Sequence, residues 1–151
     1  MKIYYFQQKQ LVKADIDRVW DFFSSPKNLN KITPPFMNFE ILDGLSAEVF
    51  EGQLITYKVT PLPFFRVKWI TEITEVDPKN FFADKQKKGP FSLWHHEHNF
   101  TETDAGVEME DHVIYAIPFG FLGRIANTLF VQRQVQQIFD YRRQRIEKLF
   151  S

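Results

Sequence analysis

Cysteine is absent from this 151-residue chain. That removes disulfides, thiolate metal sites and cysteine nucleophiles, and it suits a reducing compartment. Net charge is absent as well, because Lys+Arg 19 offsets Asp+Glu 19. A dedicated nucleic-acid binder carries a basic excess, so nucleic acid is not an expected partner. Long apolar runs are missing. The stretch Tyr115–Gly123, broken by Pro118 and two glycines, falls far short of a membrane span, and no integral membrane association is expected. The opening MKIYYFQQKQ lacks the apolar core of a signal peptide, which makes a cytoplasmic location the expectation. There is no nucleophile elbow, phosphate loop or dinucleotide fingerprint. No cofactor is expected.

Aromatics are what the chain has in excess. Phe 17, Tyr 5 and Trp 3 make up 17% of it. Such a surplus suits a thick core, a hollow lined by rings, or an interaction surface.

No repeat, low-complexity tract or linker interrupts the chain, so residues 1–151 read as one domain. Lys2–Lys13 opens with Ile3-Tyr4-Tyr5-Phe6 and predicts a first strand. Asp15 is a suitable N-cap for a short helix with Ile16, Val19, Trp20 and Phe23 on one face. Ser25-Pro26 restarts a helix and Thr33-Pro34-Pro35 stops it. The period then becomes two. Strands are expected over Asn38–Leu42, Val49–Thr60, Phe65–Val76, Asn80–Lys87, Leu93–Thr101 and Val107–Ala116, with turn residues such as Pro61-Leu62-Pro63 between them. Short connections favour antiparallel pairing. After Pro118-Phe119-Gly120 the period returns to 3.6. Leu122, Ile125, Leu129, Val135, Ile138, Phe139, Arg142, Ile146 and Leu149 trace one stripe, imperfect near Gln132–Gln134. A helix over Leu122–Leu149 would be about 42 Å long and cross the whole domain. Its bases, clustered near the end, suit a helix C-terminus and cover apolar surface with their stems.

Several segments together resemble the SRPBCC superfamily, the START and birch-pollen-allergen group, in its polyketide cyclase/dehydrase-like ligand-binding branch. They are Asn28-Leu29, Thr33-Pro34-Pro35, Gly89-Pro90-Phe91 with Trp94, His96, His98 and Phe100, then Met109, Asp111, Val113 and Tyr115. Pro118-Phe119-Gly120 with Leu122-Gly123, and Ile138-Phe139 with Tyr141-Arg142, complete the set. The resemblance implies an α+β helix-grip fold. A curved antiparallel sheet of about seven strands would wrap around the long C-terminal helix, with two short helices after the first strand. It also implies a cavity for apolar small molecules between sheet and helix. It does not imply one activity.

The segment Leu93–Phe100 is the most informative chemically. In a strand, Trp94, His96, His98 and Phe100 share one face, and the two large rings should turn it inward. On the next strand Met109, Asp111, Val113 and Tyr115 form the apolar set, while Glu108, Glu110 and His112 face solvent. His96, His98 and Asp111 thus become inward polar groups among aromatics, and each needs a partner. They can bond to one another within a packed core. They can orient a polar head group in an apolar pocket. They can act as an acid–base pair. As metal ligands they lack the usual spaced partners, so no metal is expected.

The resulting expectation is a carrier that binds an apolar small molecule, such as a lipid, isoprenoid or polyketide. Its ligand-binding candidates are Trp94, His96, His98, Phe100, Met109, Asp111, Tyr115, Phe65 and Phe119. The alternatives are a cyclase/dehydratase-like enzyme with His96, His98 and Asp111 as catalytic candidates, and a protein-interaction module. The cavity mouth is expected near the Pro61–Phe65 loop or the Phe119–Gly123 turn.

Overall fold

The alternating segments pair into a single antiparallel sheet in the computed structural model, which describes residues 1–62 and 64–151. Pro63, inside the loop expected at the mouth, lies outside the described residues. The strands are β1 (Tyr4–Val12), β2 (Glu40–Asp43), β3 (Leu54–Leu62), β4 (Phe65–Asp77), β5 (Phe81–Lys88), β6 (Leu93–Thr103) and β7 (Gly106–Ala116). Their order is β1-β7-β6-β5-β4-β3-β2. Sequence neighbours are therefore spatial neighbours from β2 to β7, and β1 closes onto β7. Register shifts between Ile70 and Thr71 and between Ile73 and Glu75 interrupt the β4–β5 ladder. Such bulges bend strands and increase twist, which curves the sheet around the elements it covers.

After β1, helix α1 (Ile16–Phe23) starts at Asp15, whose side chain accepts from the Arg18 backbone N–H. Its apolar face buries Val19, Trp20 and Phe23. The segment restarted at Pro26 is a 3-10 helix over Pro26–Ile32 rather than an α-helix.

After β1, two strand starts differ by two residues or more from the sequence expectation. Asn38 takes the left-handed conformation at φ 47 and caps a 3-10 turn, so β2 begins at Glu40. Val49–Gln53, expected as the start of the third strand, is not extended. The Gln53 side chain donates to the Gly44 carbonyl and the Ser46 hydroxyl, both at 2.8 Å. The Val49 N–H goes to Ser24. The Phe50 N–H goes to the Gln53 side chain, only Gly52 and Gln53 reach across to Ile73 of β4, and β3 begins at Leu54.

The C-terminal helix is helical from Gly120 to Leu149, in three parts: α2 (Gly120–Ala126), a π-helical turn (Asn127–Val131) and α3 (Gln132–Leu149). The π turn inserts extra residues into the helical repeat and rotates the face of α2 relative to that of α3. This explains the imperfect stripe near Gln132–Gln134. Beyond the turn Val135, Phe139, Arg142 and Ile146 are buried against the sheet. Before it Leu122 and Ile125, and within it Leu129, all placed on the same stripe by sequence, are exposed. The helix is held to β1 by Gln8 and Gln10, whose amides donate to the carbonyls of Phe139 and Arg143 at 3.2 and 2.9 Å. No helix among the described residues is long and apolar enough to cross a membrane.

Candidate functional site

The concave face of the sheet and the C-terminal helix do not close on each other. Between them lies a cavity of about 540 Å³, within the range of roughly 300–1,000 Å³ usual for small-molecule sites. Rings from β4 and the β5–β6 region form one wall. Trp69 meets Trp94 edge-on at 5.6 Å and Phe91 at 5.7 Å. The helix contributes Val135, Ile138 and Phe139, and the 3-10 segment contributes Asn28, Leu29 and Ile32. Pro61 and Leu62 from the β3–β4 hairpin and Phe119, Leu122 and Phe130 from the start of the helix also line it. Leu62, Phe119, Leu122 and Phe130 are exposed. The opening therefore lies between that hairpin and the start of the helix, and the Gln134 amide of α3 donates to the Pro61 carbonyl.

Inside this apolar chamber one wall is charged. Register pairs His98 with Asp111 across β6–β7, and His96 with Asp84 across β5–β6. The hydrogen bonds run along the diagonals, a reach that long side chains on one sheet face have. His96 Nε2 donates to Asp111 Oδ1 at 2.8 Å, and His98 Nε2 donates to Asp84 Oδ2 at 2.8 Å. The two imidazoles stack at 3.7 Å, and His98 also stacks on Phe82 at 4.1 Å. From α3, Arg142 brings Nη2 to 3.7 Å from Asp111 Oδ1 and 3.5 Å from His98 Nδ1. Its guanidinium lies over the rings of Phe23 and Phe139 at 5.7 and 5.9 Å.

The protonation pattern is set by these contacts. Burial is the largest influence on His98 and, with the neighbouring His96, lowers its pKa to about 4 despite the Asp84 hydrogen bond. His98 is then neutral near pH 7, with its proton on Nε2 and its Nδ1 lone pair toward Arg142. Burial pushes the Asp111 carboxyl up, but the Arg142 charge, the His96 hydrogen bond and the histidine charges together hold it well below the usual range. Asp84 is subject to the same balance, with His98 as its main stabilising partner, and is also lowered. Both carboxylates are ionised. Burial raises the Tyr57 phenol, which pairs with Thr71 at 3.0 Å.

Of the residues singled out from sequence, Trp94, His96, His98 and Phe119 line the cavity. Asp111 stands behind the histidines, buried and bonded to His96. Phe100 and Met109 pack in the core with Trp20 and Phe23 and do not themselves line the cavity. Tyr115 is also outside the lining, with its hydroxyl donating to Asn127 Oδ1 at 2.8 Å at the start of the π turn. Phe65 is exposed beside the hairpin turn and does not line the cavity. Asp84 and Arg142 join the site without having been singled out as site residues. Asp84 shares a strand face with Phe82, but adjacent Phe81 makes that strand's inward face ambiguous. Arg142 stood on the apolar stripe of the helix, and that placement was the available signal.

Asp84, His96 and His98 each bring one potential metal-ligating atom within 4.8 Å of the others. Both Nε2 atoms are already engaged by carboxylates, and Arg142 stands beside His98. A guanidinium in that position opposes a second cation, so the arrangement suits a hydrogen-bond network better than a metal cage.

A family model described as "Polyketide cyclase / dehydrase and lipid transport" matches residues 12–142. No curated protein matches the chain. Among solved structures, TTHA0849 from Thermus thermophilus is similar with a TM-score of 0.68 at 16% identity, over 98% of this chain and 100% of that one. Ara h 8.0201 gives a TM-score of 0.60 at 11% identity, over 96% of this chain and 98% of that one. The di-domain ARO/CYC StfQ from the steffimycin biosynthetic pathway gives 0.72 at 12% identity, over 98% of this chain and 50% of that one. At these identities the likeness is one of fold.

Proposed function

The chain belongs to the polyketide cyclase / dehydrase and lipid transport family, and from that premise we propose that it binds and carries an apolar small molecule, a lipid, isoprenoid or polyketide, in the cavity between sheet and helix. The observation that carries this reading is the 540 Å³ apolar chamber with one polar wall. That wall narrows the cargo. Asp84 bonds through Oδ2, and among the described residues no protein group donates to its Oδ1. Two ionised carboxylates stand with one guanidinium and a neutral His98. Among the described residues the wall thus keeps an acceptor, Asp84 Oδ1, that no protein group fills. It favours a cargo whose polar end donates a hydrogen bond, as a hydroxyl or phenol does, and opposes one ending in a carboxylate.

Native mass spectrometry of protein purified from its own host should find a retained apolar molecule. Dodecanol should bind more tightly than dodecanoate by about ten-fold or more, equivalent to about 1.4 kcal/mol. Asp84→Asn should narrow that gap. Absence of any retained molecule, with neither probe bound, would remove the carrier reading.

The cyclase/dehydratase reading rests on His96, which lines the cavity while donating to Asp111 at 2.8 Å. A cavity-facing imidazole oriented by a carboxylate is the arrangement general acid–base chemistry uses. Turnover of an aromatic polyketide-like substrate, lost in His96→Ala with binding retained, would select it.

A further inference from the structure

We propose that the rim of the cavity mouth is a docking surface for an anionic lipid bilayer. Two elements build the rim. The β3–β4 hairpin presents Leu62, Phe64 and Phe65, and the start of the helix presents Phe119, Phe121, Leu122, Ile125, Leu129 and Phe130, all exposed. On a helix, Phe121, Ile125 and Leu129 fall one above another, beside the cavity-lining Leu122 and Phe130. The helix is therefore apolar on its solvent side as well as on its cavity side, which an ordinary surface helix avoids. Contiguous exposed apolar surface of this kind marks an interaction site.

Backbone geometry adds an independent observation. Phe64 and Phe119 both lie in the left-handed region, at φ 69 and 75. A bulky side chain is strained there, and glycine or asparagine would relieve the strain. Phe64 is fully exposed and Phe119 is 81% exposed. The fold gains little from either ring, yet each stands at the strained tip of one side of the mouth.

Charge selects the occupant. No Asp or Glu occurs from Val59 to Thr71 or from Val113 to Phe139. Arg66 is paired with Glu40 at 3.2 Å. Lys68, Arg124 and Arg133 are exposed, and among the described residues no carboxylate pairs with them. Two rim segments that carry no acid of their own, with exposed rings and unpaired bases, complement an anionic lipid surface, where rings enter the interface and bases meet head groups. A second copy fits less well, because a twofold interface would bring the same bases together without acids to answer them. The inference rests on the rim and not on the identity of the cargo.

The test is flotation of the full chain with two kinds of vesicle, phosphatidylcholine alone and phosphatidylcholine mixed with phosphatidylglycerol. The protein should float with the anionic vesicles, less so as salt rises. Phe64→Asn with Phe119→Asn should reduce that binding by about ten-fold or more, with circular dichroism unchanged because asparagine accepts both backbone conformations. Arg124→Gln should weaken binding by about five-fold on anionic vesicles only. Absence of flotation with either vesicle, or flotation of the double variant like the parent, overturns the proposal. A concentration-dependent dimer in light scattering, dissociated by the same double variant, would assign the rim to self-association instead. Cargo retained in native mass spectrometry would survive either result, so the two readings fail separately.

Discussion

Arg142 and Asp111 are buried charges from different elements, one on α3 and one on β7, 3.7 Å apart. Neither is tolerable in an apolar interior without the other. Arg142→Met should destabilise the fold by about 3 kcal/mol, because it leaves a desolvated carboxylate with histidine partners only. Asp111→Asn should cost a similar amount by stranding the guanidinium, whose Nε already lacks a partner. If the two charges act on each other, Arg142→Met with Asp111→Asn costs less than the sum of the single changes in urea unfolding. Strict additivity would mean that the pair is not coupled. The sequence showed half of this network. Alternation placed His96, His98 and Asp111 on inward faces, since the large rings beside them settled the orientation. Helical periodicity put Arg142 on the buried stripe, but residue type argued for the surface, and only the carboxylate on a distant strand shows why a cation belongs inside. Asp84 depended on strand pairing across β5 and β6, which one strand's pattern does not contain.

The start of the C-terminal helix is set by close backbone approach. Gly123 is buried in α2, and a Cβ there would stand 2.2 Å from the Pro118 carbonyl oxygen. Backbone cannot move aside as a side chain does, so Gly123→Ala should lower stability by about 2 kcal/mol despite the better helix propensity of alanine. A measured gain in thermal midpoint would mean that the turn relaxes freely. The same region marks the limit of periodicity as a guide to elements. Period two located six of the seven strands to within a few residues, except at Val49–Gln53. There a buried glutamine ties the chain to Gly44, Ser46 and Phe50 through side-chain bonds that no pattern of polarity announces. Period 3.6 found the long helix and even its flaw. The stripe faltered near Gln132, directly after the π turn, so the irregularity was visible where its cause was not. Because the phase changes there, Ile125 and Leu129 read as core and are instead part of the exposed rim.

The chain as a whole is neutral, with 19 bases against 19 acids, so self-repulsion contributes little to its stability near pH 7. The buried polar wall can then dominate the response to acid. His98 has a folded pKa of about 4 against 6.5 for an unperturbed histidine. Between those values the unfolded chain takes up a proton that the folded protein refuses, so acid favours unfolding across that window. A difference of this size corresponds to about 3 kcal/mol lost between pH 7 and pH 4. Asp84 and Asp111 act in the same direction at lower pH. Their folded pKa values are depressed, so their contribution is complete above the unfolded value, about 3.9, and is lost as pH falls through the folded ones. Stability from urea unfolding should therefore decline from near pH 6.5 downward, before the carboxylates begin to titrate. In His98→Gln, whose amide can still donate to Asp84, the decline should start only at about pH 4. A parent protein whose stability is flat from about pH 7 to about pH 4.5, or a variant that keeps the full early decline, would show that His98 is not held neutral by the wall it belongs to.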